Sequence, residues 1–239
     1  MKQFVTIRLA FVLLVGTTPL FSHRLAAEPT LLDGPQLARA IRELIPEKNA
    51  ELSATMEVVI RERKRFNTEV VIQIEKLGQA KWRTIYKANL NGESPEQWTV
   101  HHQLGQPNCY EDNTGTTKRP DIYSAFAGSS LYIADLGMDF LHWPNQVIVK
   151  TQRRKSRLCY VLESRNPEPT KGEYHRVVSW VDKKSGGILL ADIYTAESKP
   201  VKRFAVKGLT KKDGLWHVDE IEMRDIKSRE RSRLHFHLK

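Results

Sequence analysis

From Glu173 to Leu238 the chain is a ladder of alternation. Five segments follow one another, EYHRVVSWVD, GILLADIYTA, VKRFAVKGL, LWHVDEIEMRD and ERSRLHFHL, separated by short turn signals. Apolar and polar residues largely alternate, which predicts strands with one dry face and one wet face. An antiparallel sheet built this way must lay its dry face on something apolar. What it covers decides what the chain can do.

The N-terminus does not share this pattern. Lys2 and Arg8 flank the start of LAFVLLVG, and TTPLFSHRLAA follows. A charged start, a short apolar core and small residues at Ala26 and Ala27 predict a secretory signal peptide cut after Ala27. The apolar run is too short to cross a bilayer. An uncleaved N-terminal anchor is the alternative. No cysteine lies near the cut, so a lipid anchor there is not expected. Removing 27 residues from 239 leaves 212, enough for one core, so residues 28–239 are expected to form a single domain. The expected location is the periplasm or envelope, soluble after cleavage.

The whole chain carries 38 basic and 28 acidic residues. The signal removes Lys2, Arg8 and Arg24, so 35 basic residues against 28 acidic ones leave +7. Bases and acids interleave along the strands, as in IRERKRF and EMRDIKSRERSR. That reads as a solvated sheet face rather than a nucleic-acid footprint. Cys109 and Cys159 form an even pair, which in an exported chain predicts a disulfide. It would close a loop of about fifty residues, worth about 3–4 kcal/mol. Two buried free thiols are the alternative.

Before the ladder, Gly34-Pro35 opens a helix with Leu37, Ala40, Ile41 and Leu44 at helical spacing, stopped by Ile45-Pro46. Strands follow on Leu52–Ile60, Phe66–Ile74, Lys81–Leu90 and Glu96–Leu104, with a short one at Cys109–Glu111. Asn91-Gly92, Ser185-Gly186-Gly187 and Asp213-Gly214 are turn signals. Between a polar loop at 113–120 and Pro144, the stretch Asp121–Trp143 loses the period of two and predicts one or two short helices. Leu131, Ile133, Leu136, Phe140 and Leu141 form its apolar side. Strands resume at Gln146–Thr151 and Arg157–Ser164. The fold class is mainly β (α+β), an incomplete antiparallel β-barrel of about 10–11 strands capped by an N-terminal helix and a mid-chain helical insert.

Motifs for chemistry are sparse. The segments GxSxG, HExxH and a phosphate-cradling glycine loop do not occur. His217, His235 and His237 lie on neighbouring strands, but Arg231 and Arg233 share the last strand's face and oppose a dication. His101 and His102 point to opposite faces. Asp135 and Asp139 could pair as carboxylates, and helix capping or solvation explains them as well. No catalytic residue, metal or cofactor is expected. The apolar inventory is the stronger signal. Met56, Val58, Ile60, Ile72, Ile74, Trp82, Tyr86, Leu136, Phe140 and Trp143 fall on predicted inward faces, as plain core or as the lining of a lipid cavity.

The segments ADLGMDFLHWP, RRKSRLCYVLES and the ladder from EYHRVVSWVD to EMRD together resemble the LolA-like outer membrane lipoprotein-sorting proteins. The likeness runs from Leu131 to Leu238, and more loosely from Leu52. It implies a half-open barrel around an apolar cavity. It also implies a non-enzymatic carrier of lipid or lipoprotein acyl chains, working as a monomer between membrane-bound donor and acceptor proteins. A functional arginine in an early strand is a further implication, with Arg61, Arg63 and Arg65 all near the place. The alternatives for this chain are a non-enzymatic interaction or stress-sensing protein built on the same half-barrel and, more remotely, a lipid hydrolase.

Overall fold

The computed structural model describes residues 32–60, 64–89, 95–115, 121–212 and 215–238. Helix α1 spans Gly34–Arg42. Asp33 caps it, accepting the Gln36 backbone N–H at 2.8 Å, while Gln36 accepts the Asp33 N–H in return at 3.2 Å. Pro35 fits the first turn, where its missing N–H costs nothing. The buried side is Gly34, Leu37, Ala38 and Ile41. Ala40, expected inward, faces solvent.

Twelve antiparallel strands follow, more than the ten or eleven expected. They are β1 (Ala50–Val59), β2 (Arg65–Lys76), β3 (Lys81–Asn89), β4 (Glu96–Gln103), β5 (Cys109–Asp112) and β6 (Asn145–Arg154). Then come β7 (Arg157–Arg165), β8 (Arg176–Asp182), β9 (Ile188–Tyr194), β10 (Lys202–Lys212), β11 (Leu215–Asp225) and β12 (Arg231–Phe236). They form one sheet in the order β5-β4-β3-β2-β1-β12-β11-β10-β9-β8-β7-β6. The chain ends meet at the centre, where β1 lies between β2 and β12. The outer strands β5 and β6 do not pair, so the sheet is an open trough, an incomplete barrel.

Period-two patterning fixes the register, because a slip by one residue would turn every dry side chain outward. Leu234 and Phe236 of β12 are buried, whereas His235 and His237 face out. In β1, Ala54, Met56 and Val58 are buried. The concave face, α1 and the insert share one hydrophobic cluster. A second, smaller cluster of Cys159, Val161, Trp180 and Leu189 covers the outer face of β7–β9. These strands are apolar on both sides, which alternation does not reveal.

The predicted disulfide is absent: Cys109 is an exposed free thiol and Cys159 a buried one. Topology keeps them apart. Cys109 stands on β5, at one edge of the sheet, and Cys159 on β7, next to the other edge. The turns expected at Asn91-Gly92 and Asp213-Gly214 lie outside the described residues.

Candidate functional site

The connection from β5 to β6 defines the site. These two strands are the opposite edges of a twelve-stranded sheet, so the chain between them must cross the mouth of the trough. The predicted insert does this with little regular structure. It holds a three-residue 3-10 turn at Phe126–Gly128, helix α2 at Ile133–Leu136 and a second 3-10 turn at Asp139–His142. Gly128 and Gly137 loosen the helical pattern, and the apolar residues sit too irregularly for one long helix. Phe126, Leu131, Ile133, Leu136, Phe140 and Leu141 are all buried against the trough.

All the expected lining residues except Ile60 are buried in the shared core, and Ile60 packs partly buried against it. The insert itself fills the space they surround. A cavity of about 30 Å³ lies between α1 and β2–β4, lined by Ile41, Trp82, His102 and Met138 among others. A larger cleft of about 560 Å³ opens on the surface by Leu77, Trp82, His101 and Cys109.

The insert's backbone bonds stay within it, as in Phe126 N–H to Leu131 O, Ile133 N–H to Ser124 O and Ala134 N–H to Ile122 O. Its attachments to the trough run through side chains. Tyr86 donates to Leu136 O at 3.0 Å and Asn108 to Gly137 O at 2.8 Å. Arg42 donates to Leu141 O at 2.8 Å, and Gln146 to the carbonyls of Phe140 and Trp143, both at 2.9 Å. At the far end Lys202 donates to Ser130 O at 2.9 Å, and Ser232 Oγ accepts the Ser130 N–H at 2.8 Å. Two residues of the insert, Ala127 and Met138, hold φ at 49°. That left-handed region costs a residue with a side chain about 1–2 kcal/mol.

Two polar groups stand at the ends of the core, the first half-buried and the second partly so. At one end His102 stacks on Trp82, ring centroids 5.0 Å apart. Its Nδ1 meets Asn108 Oδ1 at 2.9 Å and its Nε2 meets Thr84 Oγ1 at 3.2 Å. The acceptor on Asn108 assigns the ring proton to Nδ1 and leaves Nε2 to accept from the threonine. Burial pushes the His102 pKa down to about 4, and that of His142 to about 4 as well. At the other end Tyr123, Tyr132, Tyr174, Asp135 and Lys202 gather. Asp135 accepts the Tyr132 N–H at 2.8 Å and the Tyr174 hydroxyl at 3.1 Å. The carboxylate is therefore a cap on α2, and burial raises its pKa.

Sequence reasoning passed over Lys202, Arg42, Asn108 and Tyr174. Lys202 had a signal: it shares the parity of the inward Phe204 and Val206. Among the early arginines, Arg61 and Arg63 lie outside the described residues, and Arg65 is exposed, 3.6 Å from Glu57. The histidines of the last strands are dispersed, with His235 3.6 Å from Glu220 and His237 3.0 Å from Thr55.

A family model described as "uncharacterized protein" matches residues 109–238, more than half of the chain. The chain belongs to this family. Its fold resembles that of several solved structures, all at low sequence identity. A DUF1329 family protein from Desulfovibrio piger superposes with a TM-score of 0.69 at 16% identity, covering 85% of this chain and 90% of that one. A domain from Vibrio parahaemolyticus, named for outer membrane lipoprotein sorting, gives 0.69 at 14%, covering 85% and 89%. A LolA superfamily protein from Nitrosomonas europaea gives 0.61 at 14%, covering 86% and 92%. No curated protein matches the sequence. Among the described residues, no helix is long and apolar enough to cross a membrane.

Proposed function

We propose that the protein is an exported, periplasmic carrier of lipid or lipoprotein acyl chains, and that the insert Asp121–Trp143 yields the trough to its cargo. The observation that carries this reading is the crossing connection. An apolar trough is covered by a strap that has its own internal hydrogen bonds and is joined to the sheet by side chains. Such a strap can lift without breaking a single rung of the β ladder. The strained Ala127 and Met138 lower the cost of lifting it.

Energetics fit a reversible exchange. An acyl chain leaving water gains about 0.8 kcal/mol per methylene, on the order of 10 kcal/mol for a chain of ordinary length. Lifting the insert uncovers its own apolar side chains, which offsets most of that gain. A net difference of a few kcal/mol permits both uptake and release. In this reading Met56, Val58, Ile72, Ile74, Trp82 and Tyr86 form the wall that a chain would meet. Membrane-bound donor and acceptor proteins would supply and receive it.

Native mass spectrometry of the protein purified from its own envelope tests the reading. Co-purified lipid or lipopeptide supports it. Repeated absence of both, with no binding of a fluorescent fatty acid, overturns it.

A second reading has one observation of its own. Edge strand β6 leaves its outer side unpaired and exposes Val147 (54%) and Val149 (48%). An interaction protein could add a partner's strand there, with the interior remaining filled. In that case Val147→Lys with Val149→Lys would abolish partner capture, and fatty acid would not bind the parent protein.

A further inference from the structure

Among the described residues Lys202 is the one buried lysine, 3% exposed at the start of β10. Its side chain points into the trough, in phase with Phe204 and Val206. The ammonium donates to Ser130 O at 2.9 Å and lies 2.8 Å from the centroid of the Tyr132 ring and 5.7 Å from that of Tyr174. Burial lowers its pKa to about 8, while Asp135 and Asp225 pull the other way, so it is charged at neutral pH.

Its partners are unevenly divided between the moving and fixed parts. Ser130, Tyr132 and Asp135 all belong to the insert. Tyr174 precedes β8, and Asp225 closes β11, where its Oδ1 already accepts the Ser228 N–H at 2.7 Å. If the insert lifts, the ammonium keeps one aromatic face and one engaged carboxylate inside an apolar trough. A buried cation stripped of its hydrogen-bond acceptor is strongly disfavoured. Whatever replaces the insert must supply an acceptor, and an anionic oxygen does so best.

We propose that Lys202 is the headgroup site of the carrier, and that the cargo is a lipid bearing an oxyanion, a carboxylate or a phosphate. The inference rests on the carrier reading above and narrows it. The chain of such a lipid would run along Phe204 and Val206 while its head takes the place of the Ser130 carbonyl. The ester- and amide-linked acyl groups of a lipoprotein carry no such charge and would bind less well.

The test compares cis-parinaric acid with its methyl ester, titrated at pH 7 into the full protein and read by polyene emission. The acid is expected to bind at least about tenfold more tightly than the ester, the scale of one hydrogen bond to a charged group. Lys202→Met should bring the two within about twofold of each other, and Lys202→Arg should keep the preference. Equal binding of acid and ester to the parent protein overturns the headgroup site and leaves the carrier standing. So does a preference that survives in Lys202→Met. Binding of neither probe overturns the carrier itself. The parent comparison decides even if the methionine variant does not fold. Competition by lysophosphatidic acid against monoacylglycerol then separates the sources. Stronger competition by the former assigns a phosphate head, and equal competition with a retained acid preference assigns a carboxylate.

Discussion

The Tyr86 hydroxyl donates to the Leu136 carbonyl across 3.0 Å, joining the middle of β3 to the insert that crosses above it. Both groups are buried, and Tyr86→Phe would leave the carbonyl without this donor. The expected cost is about 1–2 kcal/mol of stability, read as a lower midpoint in denaturant with unchanged slope. Because the bond holds the insert down, the same variant should take up fluorescent fatty acid faster than the parent. Slower uptake would count against the insert as the moving part.

Ser130 and Ser232 are joined by a hydrogen bond of 2.8 Å between the insert and β12. With Cys109→Ser and Cys159→Ser removing the native thiols, the pair Ser130→Cys and Ser232→Cys should form a disulfide under oxidation. The oxidised protein is expected to lose lipid uptake and to regain it on reduction. Uptake equal in the two states would end the idea that the insert lifts.

His102 and His142 are held neutral by burial, each with its pKa lowered to about 4 from 6.5. The unfolded chain takes up these protons first as the pH falls. The stability that the neutral rings support is therefore complete above about pH 6.5 and is lost progressively between 6.5 and 4. Melting temperature measured across this window should fall with acidification, and His102→Gln should lower the proton uptake on unfolding by about one. An unchanged slope in the variant would place His102 in solvent contact.

Gly34 starts α1 directly against the backbone of β6, where an added Cβ would overlap the Gln146 carbonyl. Backbone cannot move aside as a side chain can. Gly34→Ala should cost about 1–3 kcal/mol, seen as a lowered denaturation midpoint, by lifting the helix from the strand.

The two cysteines make a chemical test of the topology. A maleimide or Ellman reagent should modify one thiol in the native protein, Cys109, and two after unfolding in denaturant without reductant. Zero in both conditions would restore the disulfide.

Much of this architecture could be read from the chain, because period two survives wherever one face is wet. The parity of Leu234 and Phe236 against His235 and His237 was legible for that reason, as was the break in period that marks Asp121–Trp143. The outer cluster around Trp180 was not, because β7–β9 are buried on both faces and a doubly buried strand has no alternation. Lys202 was obscured by residue type. Its parity said inward, but lysine is so commonly exposed that composition outweighs position. The partners that make its burial tolerable, Ser130 and Tyr132, are some seventy residues away. The cysteine pairing failed for a related reason: an even count says nothing about which edge of a sheet each thiol occupies.

Since β5 and β6 never join, no ring of hydrogen bonds sets the girth of the sheet. A closed barrel has a diameter fixed by strand number and stagger. Here the two margins are held by the strap between them and by α1, which packs on β6, so the bore can widen as far as those contacts give. The segment that crosses the trough, rather than a closed ring of strands, then governs how bulky a molecule the interior could admit. Shortening or lengthening that segment would be the direct way to change its gauge.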